Sequence, residues 1–508
     1  MQVKISNKNK SNILNNSKIQ GFNVLYFAES VLFLILSYYF VPKLDDIIFK
    51  FNSFFQYDDF SGFWHSALYY GNGRLLGNAL CILFSKNPQL FYFIEFLIVQ
   101  IFCISGEKLV NIKNSKLFFL TAIILMPIQL INQISSWLCG FINYFIPTVI
   151  LILILLLIKN KSAESTLLVK ILRCLTIFLL GIAEQLFVQH NAVMNLVIAI
   201  TVLISFIRKK KNILEPLLLT MSNIIGCIVL FSYKLYVEYE QTWVYQYIIK
   251  TGGNYGSPIF HLDNLGQMVK TTVSNAGVFI YFYFGCMLLY TALFISILFA
   301  LKNGSKIKYK KLNIVMMSLF YAGTIIVFLL YLNDDNENIL YSMIVAAIFV
   351  LNFASLIYSY VKAIFIHMPN DKKVITFLLV FYGVASFTPF LINTTTGTFR
   401  GCFFAYSSFI FFTAITVDFI REKHQIPYRR MMLIFAVIGC IVCSAYIPAY
   451  AVQKEIYNYK AENYQTQYYL PKADRALIDN DSMWGYAQGN VKHEFIEPSK
   501  LKNQFSSR

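Results

Sequence analysis

Two adjacent carboxylates stand shortly before a run of aromatic residues in the first polar stretch of the chain. They are Asp58 and Asp59, and Trp64 follows them. A fixed carboxylate can act as a general base, and a pair can hold a divalent cation such as Mg²⁺ or Mn²⁺. The pattern predicts that Asp58 and Asp59 are catalytic and that Trp64 contacts a substrate. A divalent cation at this pair is the one cofactor that the residues suggest, and a solvated acidic loop is the alternative. For Asp45 and Asp46, earlier in the same stretch, the start of a juxtamembrane helix is favoured over a role in the same chemistry.

Arginine occurs at two places where a guanidinium is positioned to bind a phosphate. Arg74 directly follows Asn72 and Gly73, and Arg400 follows a run of threonine and glycine at 394–398. The planar guanidinium can form two parallel hydrogen bonds to one phosphate group. Both arginines are therefore predicted to bind a phosphate-bearing substrate. An interfacial anchor is the alternative for Arg74.

A dense group of polar residues interrupts the apolar sequence at 184–191. It contains Glu184 and His190, together with two glutamines and an asparagine. An ionisable side chain at membrane depth is expensive, so each one near an apolar segment is a site hypothesis. Tyr144 lies in a second such turn, at 137–147. We predict that Glu184, His190 and Tyr144 bind substrate, with packing as the alternative for each residue singly.

Long apolar segments must position these residues. Of the 508 residues, 57% are hydrophobic and 14% are charged, and the mean hydropathy is +0.57. Lipid must cover a chain of this composition, so the predicted fold class is an all-α integral membrane protein. We predict a membrane domain over 1–451, whose first external loop (about 42–88) holds juxtamembrane helices, and a short external tail over 452–508. About thirteen segments approach the length of a membrane span: 22–41, 89–105, 117–133, 141–158, 167–182, 192–207, 213–232, 276–300, 313–332, 339–362, 374–392, 402–420 and 431–451.

The formal net charge is +17, and we interpret this positive charge mostly as a signal for membrane orientation. Lysine and arginine cluster in every second predicted loop, which places the N-terminus in the cytoplasm and the C-terminus outside. The apolar segment at 75–84 is too short to cross, so we assign it to the external loop as an interfacial helix. A nucleic-acid partner is not expected, because the positive-inside rule already accounts for the basic residues in alternate loops.

In these features the chain resembles the GT-C class of membrane glycosyltransferases, which use sugars linked to polyprenyl phosphate. The resemblance rests on a large first external loop with an acidic motif, matched here by Asp58 and Asp59. The residues at 57–60 and 72–74, and later Gly140, Asn143, Tyr144 and Pro147, also resemble a bacterial family of polytopic proteins placed near that class.

The resemblance implies a GT-C-like bundle of about thirteen transmembrane helices in a bacterial plasma membrane. It implies an inverting transfer in which Asp58 or Asp59 activates the acceptor hydroxyl while Arg74 and Arg400 stabilise the leaving phosphate. The donor would be a polyprenyl-phosphate-linked sugar. The acceptor would be a cell-envelope glycan or glycolipid, because the chain lacks the large C-terminal soluble domain of relatives that modify proteins. A transporter (flippase) of lipid-linked glycans and a polysaccharide polymerase remain open as alternatives.

Overall fold

The computed structural model describes residues 5–40, 57–160, 166–238, 241–242, 286–303, 356–386, 399–424 and 428–464, and a few single residues between these ranges, among them Asp46 and Phe49. Every regular element in the described ranges is helical. The all-α class that the sequence predicts is confirmed for this part of the chain. The spans predicted at 313–332 and 339–362 lie largely outside the described residues, as do Asp45 and most of the tail.

The helices are numbered in chain order. They are α1 (Ile5–Tyr38), α2 (Phe60–Leu68), α3 (Leu75–Ser85), α4 (Pro88–Val110), α5 (Ser115–Ile124), α6 (Ile128–Gln133), α7 (Leu138–Lys159), α8 (Leu167–Ala183), α9 (Gln189–Arg208), α10 (Leu214–Phe231), α11 (Met287–Asn303), α12 (Asn370–Ala385), α13 (Phe403–His424) and α14 (Tyr428–Tyr464). A π-helical stretch, Phe141–Phe145, lies within α7. Short helical turns occupy Tyr233–Tyr236, Glu184–Leu186, Phe365–His367 and Phe399–Cys402.

Seven helices of the described region are long and apolar enough to cross a membrane. They lie in α1, α4, α7, α9, α10, α13 and α14. Helices α8 and α12 are shorter, with 17 and 16 residues. Helix α3 has 11 residues, which at 1.5 Å per residue covers roughly 16 Å and cannot cross the hydrocarbon core. The count of thirteen crossings for the whole chain stays a prediction.

The span predicted at 117–133 is a broken helix. Helix α5 ends at Ile124 and α6 begins at Ile128, with Pro127 between them, because proline has no backbone N–H to continue the helical ladder. After α6 the chain runs through a buried irregular segment at 134–137 before α7 begins. Irregular backbone inside an apolar bundle is tolerated where protein surrounds it or where it lines a cavity.

Small residues let α8 and α10 pack closely. A Cβ on Gly181 of α8 would lie 2.1 Å from Ser222 Oγ, and one on Gly226 of α10 would lie 2.6 Å from Gln185 Cβ. Close backbone approach of this kind is a common means of joining helices in lipid, where apolar burial alone gives little preference for helix over lipid. With α9, these two helices form a tightly packed group.

Basic side chains gather at one end of this group. Lys159 Nζ donates to the carbonyl oxygens of Lys108 and Leu109, each at 2.9 Å. Arg173 Nε pairs with Glu215 at 3.1 Å. These contacts bring the ends of α4 and α7 together with the beginnings of α8 and α10. We call this the basic end of the bundle.

Candidate anion-binding recess

A small recess lies at the N-terminal end of α7, opposite the basic end. Its cavity volume is about 20 Å³, which is room for about one water molecule. The lining residues are Phe49, Tyr70, Asn72, Arg74, Asn78, Trp137, Cys139, Asn143 and Tyr144. Within the part of the chain that the structure describes, the lining combines the Arg74 cation with side-chain amides and aromatic rings and includes no carboxylate. This set of side chains suits an anionic group held at the mouth of the recess.

The turn before α3 positions Arg74. Asn72 Oδ1 accepts a hydrogen bond from the backbone N–H of Arg74 at 3.0 Å and another from Asn78 Nδ2 at 2.9 Å. The Arg74 side chain donates from Nε to Gln189 Oε1 at 3.4 Å, and no ion pair joins it to a carboxylate of the described residues. Since a guanidinium has five N–H donors, most of its donors remain for a ligand.

The polar turn at 184–191 meets this wall of the recess through Gln189. Its Nε2 donates to the carbonyl oxygen of Asn72 at 2.7 Å, in addition to the bond that its Oε1 accepts from Arg74. The next residue, His190, has its ring 5.4 Å from the ring of Tyr144. The structure thus brings three residues predicted to bind substrate, Arg74, Tyr144 and His190, to the same end of the bundle.

The opposite wall is the N-terminus of α7. The backbone N–H of Cys139 donates to Asp46 Oδ1 at 3.0 Å, and Asp46 is only 1% exposed. The first N–H groups of a helix have no acceptor within the helix and carry a partial positive charge, which stabilises a carboxylate placed there. Asp46 is therefore a buried carboxylate bound to a residue that lines the recess.

Asn143 fixes the distance between α3 and α7. Its Nδ2 donates to the carbonyl oxygen of Cys139 at 2.8 Å. Its Oδ1 lies only 2.2 Å from where a Cβ on Gly77 would be. A larger residue at position 77 would push this amide out of place, so glycine is needed for the close approach.

Asp58 and Asp59 do not line the recess. Both are exposed, and Asp59 is the N-cap of α2, where its Oδ1 accepts from the N–H of Gly62 at 2.6 Å. Asp58 lies near Lys86, whose pKa is lowered by burial and raised by the Asp58 charge. The Lys86 ammonium lies 3.6 Å from the centre of the Tyr57 ring. The catalytic role of Asp58 and Asp59 stays a prediction.

Two other predicted site residues, Trp64 and Glu184, lie apart from the lining, and the side chain of a third, Arg400, is not described. Trp64 packs edge-on against Phe60 and Phe63. Glu184 is completely buried and bonds to other side chains of its own turn and of α10. The backbone of Arg400 lies in the turn Phe399–Cys402, which packs against α6, while its side chain lies outside the described residues.

Asp58 and Asp59 do not form a preorganised metal site with other described residues. One oxygen of Asp59 is used to cap α2, and the described residues contain no group of three or more His, Cys, Asp or Glu arranged to hold a metal ion. Two exposed carboxylates with one oxygen engaged provide few fixed ligands for a divalent cation. We therefore assign no step to a metal.

Sequence reasoning singled out most amides of the site but not all of them. Asn72, Asn143 and Gln189 belong to the polar turns that the sequence indicated, whereas no prediction names Asn78, which also lines the recess from α3. For Asp46, the start of a juxtamembrane helix was favoured over a role in the chemistry. The signal that could have found Asn78 is an asparagine inside an otherwise apolar segment, where an unbonded amide is costly.

Comparisons of the chain with protein-family models, with curated proteins and with solved structures found no match.

Proposed function

We propose that this protein is a membrane glycosyltransferase that takes a sugar from a polyprenyl-phosphate-linked donor. The observation that carries the proposal is the Arg74 guanidinium, which lines a polar and aromatic recess and pairs with no carboxylate of the described residues. A polyprenyl phosphate keeps its chain in lipid and its phosphate at headgroup depth, where such a cation can bind it. Tyr70, which is only partly buried, provides an aromatic ring at the edge of the recess against which a sugar can pack.

The reaction breaks the bond between the anomeric carbon and the phosphate oxygen and forms a bond to an acceptor hydroxyl. Negative charge grows on the phosphate as that bond breaks, so a cation that binds it more tightly in the transition state lowers the barrier. The acceptor hydroxyl must lose a proton, and a placed carboxylate can receive it. Asp46 is the buried candidate beside the recess, and Asp58 and Asp59 are the exposed candidates of the same loop.

We also propose a cell-envelope glycan or glycolipid as acceptor and a bacterial plasma membrane as the location. With the N-terminus in the cytoplasm, the recess faces outward. The gathering of Lys108, Lys159 and Arg173 at the opposite end of the bundle supports this orientation, because cytoplasmic loops are enriched in basic residues.

The test uses purified protein in liposomes with a panel of radiolabelled polyprenyl-phosphate sugars and a cell-envelope glycolipid fraction. Arg74→Ala is expected to lower kcat/KM roughly tenfold to a hundredfold, because a hydrogen bond to a charged group contributes about 1.5–3 kcal/mol. Arg74→Lys should lose less, since it keeps the charge but loses the fork of donors.

Lys86→Ala is the matched control for Arg74. Lys86 is a cation of the same loop that lies over Tyr57 and does not line the recess. The Lys86→Ala variant should keep near-normal glycosyl transfer. Full activity in Arg74→Ala, or an equal loss in the control, would contradict the proposal.

A transporter of lipid-linked glycans is the second candidate function. It is favoured by Glu29 and Glu95, which are both 0% exposed and lie within membrane-length segments of α1 and α4. Intramembrane carboxylates of this kind occur along proton and ion pathways. The same liposomes separate the two candidates, because a transporter moves the labelled lipid across the bilayer without forming a glycosylated product.

A further inference from the structure

A second polar site lies behind the recess, in the turn Glu184–Leu186. This turn packs against α7, α8, α9 and α10. Glu184 Oε1 accepts hydrogen bonds from Asn223 Nδ2 at 3.0 Å and from Gln185 Nε2 at 3.3 Å. Two donors on one oxygen favour the ionised form of a carboxyl group. The arrangement also fixes the direction in which the second oxygen points.

That second oxygen, Glu184 Oε2, is buried without a hydrogen-bond partner in the described structure. A protonated Oε2 would need an acceptor for its hydrogen, and an ionised one would need a cation or donors. An isolated carboxylate in an apolar interior is strongly unfavourable. In either protonation state, Glu184 Oε2 therefore lacks the partner that it needs.

Two asparagines on α9 are also buried without hydrogen-bond partners. Asn191 and Asn195 are each 1% exposed, and neither the oxygen nor the nitrogen of either amide has a hydrogen-bond partner in the described structure. Residues four apart in a helix share a face. That face continues to Ala199, which packs with residues of α7, α8 and α10. The asparagines thus face the helices that also surround Glu184.

We propose that Glu184 Oε2 and the amide oxygens of Asn191 and Asn195 bind a monovalent cation, for which Na⁺ is the candidate. Carboxylate and carbonyl oxygens are the ligands that hard cations prefer. One carboxylate charge neutralises one monovalent ion, which offsets part of the cost of burying each of them. None of these three ligands lines the recess, so cation binding does not require the phosphate chemistry proposed there.

Its position links the cation to the recess. Gln189, whose amide bonds both Arg74 and Asn72, lies in the chain between Glu184 and Asn191. An ion that ties these two residues together would fix the turn that carries Gln189. Cation binding would therefore order the wall on which Arg74 rests.

The acid–base behaviour of Glu184 sets the conditions of the test. Burial raises its pKa from 4.5 to about 8, while the hydrogen bonds from Asn223 and Gln185 act in the opposite direction. The Cys227 thiol faces the turn from α10, 3.4 Å from Gln185 Oε1, and no charged group of the described residues adds to the shift. Because the pKa of Glu184 is raised in the folded state, the neutral carboxyl group contributes stability. This contribution is fully present below pH 4.5, the ordinary pKa of the group, and is lost as the pH rises through about 8. A cation should offset that loss most clearly above pH 8.

The experiment measures the Tm of the detergent-purified full chain at alkaline pH in NaCl and in choline chloride at equal ionic strength. The wild-type protein is expected to melt several degrees higher in NaCl. Glu184→Gln should lose this NaCl dependence, and so should Asn195→Ala, which removes only a neutral ligand. Glu107→Gln is the control, because Glu107 accepts from the N–H of Lys116 near the basic end and should keep the dependence.

A wild-type Tm that is equal in the two salts would overturn the proposal. An NaCl effect that persists undiminished in Glu184→Gln and Asn195→Ala would overturn it as well. If Glu184→Gln does not fold, the Asn191→Ala and Asn195→Ala variants give the answer. The readout is thermal stability, so its failure is separate from a failure of glycosyl transfer.

Discussion

Two aspartates of the first polar loop bond to backbone N–H groups near the start of helices, in opposite surroundings. Asp59 is exposed and caps α2 through the N–H of Gly62. Asp46 is buried and bonds to the N–H of Cys139 near the start of α7. An exposed cap contributes about 1 kcal/mol, whereas a buried donor that loses its acceptor costs about 1–3 kcal/mol. The same chemistry therefore stabilises a surface turn in one case and a wall of the recess in the other.

Replacing Asp59 separates its capping role from its charge. Asp59→Asn should melt close to wild type, because asparagine is as good an N-cap as aspartate, and Asp59→Ala should lose about 0.5–2 kcal/mol of stability. Thermal melts of both variants check this. Loss of glycosyl transfer in a normally stable Asp59→Asn protein would support the catalytic role predicted from the sequence, and retained transfer would leave Asp59 with capping alone.

At the scale of elements, the recess depends on a break between helices. Pro127 ends the predicted span early, and the buried segment at 134–137 turns the chain into α7. Gly140 lets this turn close, since a Cβ there would lie 1.9 Å from the carbonyl oxygen of Gln133. The contact is with backbone, so a side-chain rotation cannot relieve it. The wall is therefore specified by one proline and one glycine.

Gly140→Ala is expected to destabilise the protein by about 1–3 kcal/mol, because the new methyl group forces a backbone shift. Gly383→Ala is the matched control, since the nearest atom to its added Cβ lies at 3.8 Å and alanine favours the helix by about 1 kcal/mol. Melting curves of the two variants in detergent test the contrast. Equal behaviour of the two would show that the turn is not closed as described.

At the scale of the whole molecule, charge placement divides the bundle into two ends. The basic side chains of α7 and α8 meet backbone carbonyls of α4 and α7 at one end, and the recess that Arg74 lines lies at the other. Seven helices of the described region have the length and apolar character of membrane spans. The positive-inside rule then predicts a cytoplasmic basic end.

Reporter fusions test this orientation. A reporter placed after Lys161 or after Lys308 is expected to score as cytoplasmic, because both positions follow basic clusters. A reporter placed after Asn72 should score as external. An external result at Lys161 would reverse the proposed orientation and put the recess on the cytoplasmic face.

The sequence by itself determined the helical membrane class and the positions of most described spans, because hydropathy and helix length are local properties of 15 to 25 consecutive residues. It also singled out Arg74, Tyr144 and His190, since a polar side chain within an apolar chain is costly wherever it lies. The break at Pro127 was the exception, because the flanking residues are as apolar as those of an unbroken span.

Only the tertiary structure decided which polar groups meet. Arg74 bonds to Gln189 across 115 positions of sequence, and Asp46 bonds to Cys139 across 93. Such pairs depend on how whole helices pack, and packing is set by contacts such as Asn143 against Gly77, which no local pattern encodes. For the same reason the structure, and not the sequence, distinguished the exposed Asp58 and Asp59 from the buried Asp46, because burial is a property of the assembled bundle.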